Sequence, residues 1–187
     1  MKFIMDFVPN HVARQYHSIA KPKGVKDLGE DDDKSVHFSA NNNFYYFPNQ
    51  PLVLPEPLRD IKNDQGETYS ENPAKATGDD RFCPTPGCND WYEAIKLNYG
   101  IDYCDNRSLH FDPPPNTWVK MTEILLYWAS KGIDGFRCDM AEMVPAQFWA
   151  YATSRVKKEH PGLVFIGEVY DPSQYRNFIN SGFDYLY

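Results

Sequence analysis

No run of 18 apolar residues occurs in the 187-residue chain, so no membrane-spanning helix is expected. Positive charge is in deficit: 19 Lys and Arg stand against 26 Asp and Glu, a net charge of −7. Neutralising phosphates needs a basic surface, so a nucleic-acid partner is not expected either. Cysteine is scarce, at four, and only Cys83 and Cys88 form a close pair, which leaves too few ligands for a zinc centre. That pair has two readings. A small disulfide loop would favour an oxidising compartment, periplasmic or extracellular; free thiols fit equally well. No repeat and no low-complexity tract stands out, and Lys2-Phe3-Ile4-Met5-Asp6-Phe7-Val8 reads as a buried strand, lacking the pattern of a signal peptide.

What is present is the composition of an ordered globular protein, 42% hydrophobic and 16% aromatic. Three zones follow one another: 1–11, 12–115 and 116–187. The first holds one strand, over about residues 2–8. The second is rich in Asn, Asp, Pro, Gly and aromatics, with turn signals at Lys21-Pro22-Lys23-Gly24, Gly29-Glu30-Asp31-Asp32-Asp33, Asn63-Asp64-Gln65-Gly66 and Pro113-Pro114-Pro115. A connection of roughly a hundred residues implies an inserted subdomain with its own core. Asn41-Asn42-Asn43-Phe44-Tyr45-Tyr46-Phe47 and Trp91-Tyr92 supply its aromatic mass.

The third zone alternates helix and strand. Asn116 is placed to cap a helix with Trp118, Met121, Ile124, Leu125 and Trp128 on one face, stopped at Lys131-Gly132. A strand is predicted over 133–139, then a helix opened by Pro145, with Phe148, Trp149, Ala152 and Val156 at helical spacing. Leu163 to Val169 is nearly continuously apolar, the pattern of a strand covered on both faces. A short helix near 172–181 and a strand from Phe183 complete the series. Strict alternation implies a parallel α/β sheet. Four strands with bare edges fall short of the eight-stranded barrel, which needs about 250 residues, so the chain reads as the middle of a barrel.

Active sites of such barrels sit at the carboxyl ends of the strands. Those ends carry Asp6-Phe7-Val8-Pro9-Asn10-His11, Asp139 and Glu168. Arg137 precedes Asp139 by two residues, on the same face of the strand, where its guanidinium favours an ionised carboxylate, as a nucleophile requires. Glu168 needs the opposite, a raised pKa, to protonate a leaving oxygen. Two such carboxylates side by side suit glycosidic bond cleavage with retention. Taken singly, each motif also fits a helix cap, an ion pair or an ordinary turn. All three in order on successive strand ends favour the functional reading.

These three blocks resemble the α-amylase superfamily of retaining α-glycosidases. The resemblance implies a partial (β/α)8 TIM barrel, about strands 3 to 6, with 12–115 as the irregular domain B inserted after strand 3. It puts the nucleophile on Asp139, the acid/base on Glu168 and substrate contacts on Arg137 and His11. Leu97-Asn98 is similar to a short motif the family carries late in domain B. Glu142 and Met143 stand where the family often has a Lys-His pair that serves calcium and substrate. No cofactor and no catalytic metal is expected. Asn10 matches a common calcium ligand, but Asp31-Asp32-Asp33 lacks the spacing of a calcium loop, and the balance weighs against a structural calcium. Trp91, Tyr92 and Tyr99 are candidates for sugar stacking, although a place in the subdomain core accounts for most of them.

The implied function is that of a fragment of a hydrolase acting on α-linked glucans or maltooligosaccharides. A transglycosylase or sugar isomerase on the same scaffold is the first alternative. A non-catalytic carbohydrate-binding or partner module is the second, and it would be expected to lose one of the two carboxylates. A metal-dependent barrel enzyme would need more histidines at strand ends than His11. The family's third catalytic carboxylate has no counterpart here, so the isolated chain is expected to be inactive or nearly so, and to self-associate through open sheet edges.

Overall fold

A computed structural model describes residues 1–19, 21–60, 62 and 66–187 of the chain. In chain order the described strands are β1 (Ile4–Phe7), β2 (His11–Ala13), β3 (Tyr46–Phe47), β4 (Ala74–Lys75), β5 (Ala94–Lys96), β6 (Ile101–Asp102), β7 (Ser108–Leu109), β8 (Gly135–Cys138), β9 (Val164–Gly167) and β10 (Tyr185–Leu186). The α-helices are α1 (Asn116–Ala129), α2 (Ala146–Glu159) and α3 (Tyr175–Asn180). They divide between two compact units, one of Met1–Asn10 with Pro114–Tyr187 and one of His11–Pro113. No described helix is long and apolar enough to cross a membrane.

The first unit is α/β. Its sheet runs β1-β8-β9-β10, every neighbouring pair parallel. The register sets Asp6 opposite Arg137 and Cys138 opposite Gly167. Gly135 makes close pairing possible: a Cβ there would stand 2.4 Å from the Val164 carbonyl oxygen. Phe7, Phe136, Cys138 and Phe165 form a buried face, onto which α2 sets Trp149, 6.3 Å from Phe7 and 4.7 Å from Phe183, centroid to centroid. The other face is half covered: Ile4 is 39% exposed, and Val164 and Ile166 are partly buried. This corrects the expectation of a strand buried on both faces. Alternation along β9 sends Phe165 to the helices and its neighbours to the opposite side.

Helix α2 buries Phe148, Trp149, Ala152 and Val156 as their spacing predicts, with Thr153 added. Helix α1 differs in two respects. Pro115 takes the capping position and Asn116 is the first helical residue, so Asn116 is no cap. The buried stripe is Thr117, Trp118, Met121, Thr122, Leu125 and Ala129; Trp128 is 40% exposed and Ile124 only partly buried. Toward α2 the contact is made by Trp118, 5.9 Å from Phe148 and 5.5 Å from Tyr151, centroid to centroid, while Trp128 turns to the surface beside Tyr127. Gly132, at φ 83°, takes the left-handed turn that ends the helix.

The second unit is built from short antiparallel ladders, β2 with β5, β3 with β4 and β6 with β7. Tyr45, Phe47, Ala74 and Ala76 form a core with Phe38, Leu52, Phe82 and Tyr103 against it. Tyr99 is buried, in keeping with a core role, and Asn98 staples loops by donating to the carbonyls of Ser39 and Asn42. Glu71 anchors a buried charge cluster: Arg14 Nη1 lies at 2.7 Å, Lys75 Nζ at 3.0 Å and Tyr69 Oη at 2.8 Å. Turns form at Pro22–Val25 and Gly29–Asp32; of the turn expected at Asn63-Asp64-Gln65-Gly66, all but Gly66 lies outside the described residues. All four cysteines are free thiols, so Cys83 and Cys88 are not bridged.

Candidate active site

Asp139 and Glu168 follow directly on β8 and β9. The Asp139 amide donates to the Phe7 carbonyl at 2.9 Å, and the Glu168 amide to the Cys138 carbonyl at 3.0 Å. Each carboxylate therefore continues the parallel ladder by one residue, and the two leave neighbouring strand ends together. Arg137 lies on the same face, two residues back along β8. Its Nη1 meets Asp139 Oδ1 at 2.7 Å and Asp6 Oδ1 at 3.0 Å, and its Nη2 lies 3.0 Å from Glu168 Oε2. Its Nε donates to the Tyr187 hydroxyl at 2.6 Å. One planar cation thus joins three carboxylates and a phenol, which a lysine's point charge does not do. Partial burial disfavours the cation, but the hydrogen bonds to Asp6, Tyr187 and Asp139 outweigh this and push the Arg137 pKa above its ordinary value.

Glu168 is 7% exposed. Its Oε2 accepts the Met140 amide at 2.8 Å, and its Oε1 accepts the Tyr170 hydroxyl at 2.6 Å. Met140 sits at φ 44°, ψ 42°, a left-handed conformation uncommon for a residue with a side chain; the turn it makes after Asp139 brings its N–H onto the neighbouring carboxylate. Burial pushes the Glu168 pKa up, but the Met140 amide, the Tyr170 hydroxyl, Arg137 and a hydrogen bond shared with Asp139 together hold it below its ordinary value. The raised pKa expected from the sequence is therefore not the state of this site. Donors to the charged form outweigh burial.

Arg137, Asp139 and Glu168 stand together. His11 belongs to the other unit, in β2, opposite Lys96 and edge-on to Trp91 at 5.2 Å. Four contributions escaped the sequence reading. Asp6 is a strand-end residue by sequence, and its pairing with Arg137 is a fact of the register. A charge inside an apolar strand is the signal that something opposite must neutralise it. Tyr170 stands two residues after Glu168 and shares its face by simple alternation. No local signal marks Tyr187 or the left-handed Met140. Glu142 Oε2 accepts the Asp171 amide at 3.0 Å, tying the segment after β8 to that after β9. Among the described residues no group of three or more His, Cys, Asp or Glu is placed to hold a metal ion.

No family model matches the chain. Over 139 residues, 74% of its length, it is 38% identical to the alpha-1,4-glucan:maltose-1-phosphate maltosyltransferase of Picrophilus torridus. The chain belongs to the α-amylase superfamily. It spans 18% of that relative's length. The maltosyltransferase of the same description from Myxococcus xanthus is 34% identical over 53 residues, 28% of this chain and 8% of that protein. Among solved structures, the α-amylase of Geobacillus thermoleovorans aligns with the whole of this superfamily member at a TM-score of 0.53 and 20% identity, over 30% of its own chain. That likeness is one of fold.

Proposed function

We propose that this chain supplies the nucleophile and the acid/base of a retaining enzyme acting on α-linked glucans. The observation that carries the reading is the pair of carboxylates, Asp139 and Glu168, on adjacent parallel strand ends and bridged by Arg137. Asp139, its Oδ1 held 2.7 Å from the Arg137 guanidinium, attacks the anomeric carbon. The bond to the leaving oxygen breaks with its electron pair on that oxygen, and a protonated Glu168 transfers its proton there. An acceptor hydroxyl, deprotonated by Glu168, then releases the sugar from Asp139. Because Glu168 is held below its ordinary pKa in the free site, it must gain its proton as the substrate enters and water leaves.

The same reading makes the sheet strands 3 to 6 of a (β/α)8 barrel, with His11–Pro113 inserted after the third. The half-covered face bearing Ile4, Val164 and Ile166 supports it, since a closed barrel fills its interior with such branched side chains. A substrate contact at His11 is proposed on the family resemblance alone. The isolated 187-residue chain is expected to turn over little or nothing and to self-associate along β1 and β10, the two edges of the sheet.

Two acceptors are open to the intermediate, water and a sugar hydroxyl. The maltosyltransferase relatives favour transfer. The test uses the full-length polypeptide that carries this sequence. Asp139→Asn and Glu168→Gln should each lower turnover of α-1,4-glucans by about 10²–10⁴-fold, and a slow 5-fluoroglycosyl fluoride should leave its sugar on Asp139. Full activity in either variant, or a sugar attached elsewhere, refutes the assignment. Incubation with maltose 1-phosphate and a glucan separates the two outcomes, longer chains meaning transfer and free maltose meaning hydrolysis.

A further inference from the structure

The two oxygens of Glu168 are not equivalent. Oε2 faces the Met140 N–H at 2.8 Å and Arg137 Nη2 at 3.0 Å, two groups that can only donate. A proton placed on Oε2 would point at another proton. Among the described residues the donor to Oε1 is the Tyr170 hydroxyl at 2.6 Å, and a phenol both donates and accepts; Asp139, which shares a hydrogen bond with this carboxyl, can only accept while ionised. The phenol can therefore meet Oε1 in either protonation state, donating to the carboxylate and, after turning its O–H, accepting from the acid.

We propose that Tyr170 is a positioning residue that makes Oε1 the proton-bearing oxygen of Glu168 and yields that oxygen to the glycosidic oxygen of an entering glucan. The proposal rests on the reading of Glu168 as acid/base. The backbone holds the pair in place. The Val169 amide donates to the Tyr187 carbonyl at 3.1 Å and the Tyr187 amide to the Gly167 carbonyl at 3.1 Å. These bonds keep the chain extended beyond β9, so Glu168 and Tyr170 leave on one side. Tyr170 is 64% exposed while Glu168 is 7% exposed; the tyrosine is thus the solvent-side partner.

Tyr170 neither gains nor loses a proton in the cycle. Its hydrogen bond to Glu168 raises its own pKa, which keeps it a neutral phenol. When the glycosidic oxygen takes its place, the carboxylate loses one of the donors that favour its charged form. That displacement offers a route from the depressed pKa of the free site to the acid the reaction needs. The other charged and titratable groups around Glu168 are Arg137 and Asp139 from the β8 strand and its end, Asp6 beyond the guanidinium, Tyr187 after β10, and the Glu142–Asp171 pair of segments, none of which changes in the test.

The test is the pH profile of kcat/KM on an unactivated α-1,4-glucan, with Tyr170→Phe in the full-length polypeptide. Its alkaline limb reports the acid in the free enzyme. Loss of one donor to the carboxylate should move that limb up by about 0.5–1 pH unit, with the acid limb in place. A second variant with 3-fluorotyrosine at position 170, a stronger donor of nearly the same shape, should move it down. An alkaline limb that stays put in both variants, or a fall in kcat without movement of the limb, overturns the proposal and leaves Tyr170 a structural residue. Glu168→Gln run alongside separates the two readings. If it loses activity while the Tyr170 limb stays put, only the present inference fails; if it keeps activity, the acid/base assignment itself has failed.

Discussion

Replacing Arg137 with Met removes the guanidinium while keeping most of the side chain's apolar length, and the structure sets the size of the effect. The Arg137 side chain is 29% exposed; its carboxylate partners are 10% exposed at Glu168, 23% at Asp139 and 58% at Asp6. The contact with Asp6 is largely solvated and contributes about 0–1 kcal/mol. Those with Asp139 and Glu168 are charge-assisted and partly shielded, about 1.5–3 kcal/mol each before discount for the water that reaches them. A loss of about 2–4 kcal/mol at neutral pH is expected, measured by urea denaturation followed by tryptophan fluorescence. The sign of the pH dependence follows from Glu168, whose folded pKa is depressed. Its contribution is present above the unfolded value, about 4.3, and is lost as pH falls through the folded value. Arg137→Met raises that folded value, so the gap between parent and variant should be widest at neutral pH and close in acid. Arg137→Lys, which keeps the charge but loses the fork, should fall between. A gap of equal size at neutral and acid pH, or none at neutral pH, refutes the view that the guanidinium acts by holding Glu168 ionised.

Two further outcomes are expected. Glu71→Ala leaves Arg14, whose side chain is 5% exposed, as a buried cation without its carboxylate, and should cost about 3–5 kcal/mol in denaturation, with Glu71→Gln costing less because an amide oxygen still accepts. Gly135→Ala places a methyl 2.4 Å from the Val164 carbonyl oxygen. Because that atom is backbone, β8 and β9 must part, and a loss of about 2 kcal/mol or more should accompany faster amide exchange at Val164 and Arg137.

How far the sequence could be read depends on whether a feature is local. Parallel pairing followed from strict alternation of helix and strand, and the positions of Asp139 and Glu168 followed from where two apolar runs end. The buried face of α2 followed from spacing, since Phe148, Trp149, Ala152 and Val156 leave little choice of side. For α1 the same reasoning failed. Trp118, Met121, Ile124, Leu125 and Trp128 are all apolar, and hydrophobicity alone did not say that Thr122 and Ala129 would face the interior while Trp128 faced solvent. Which positions of a helix are covered depends on what packs against it, and that partner is not written in the helix's own spacing.

The site divides in the same way. The sequence by itself determined which residue types stand at the strand ends and that Arg137 shares a face with Asp139, because period-two alternation is a property of a single strand. Only the tertiary structure decided what those groups meet. Asp6 reaches Arg137 through the β1–β8 register, across 131 residues of chain; Tyr187 reaches it from the far strand; and the left-handed turn at Met140 aims an amide at Glu168. The balance between burial and the donors around Glu168 sets the direction in which its pKa moves, the reverse of that expected from the carboxylate's role. A pKa is set by every group within a few ångströms, and which groups those are is known only once the chain has brought them together.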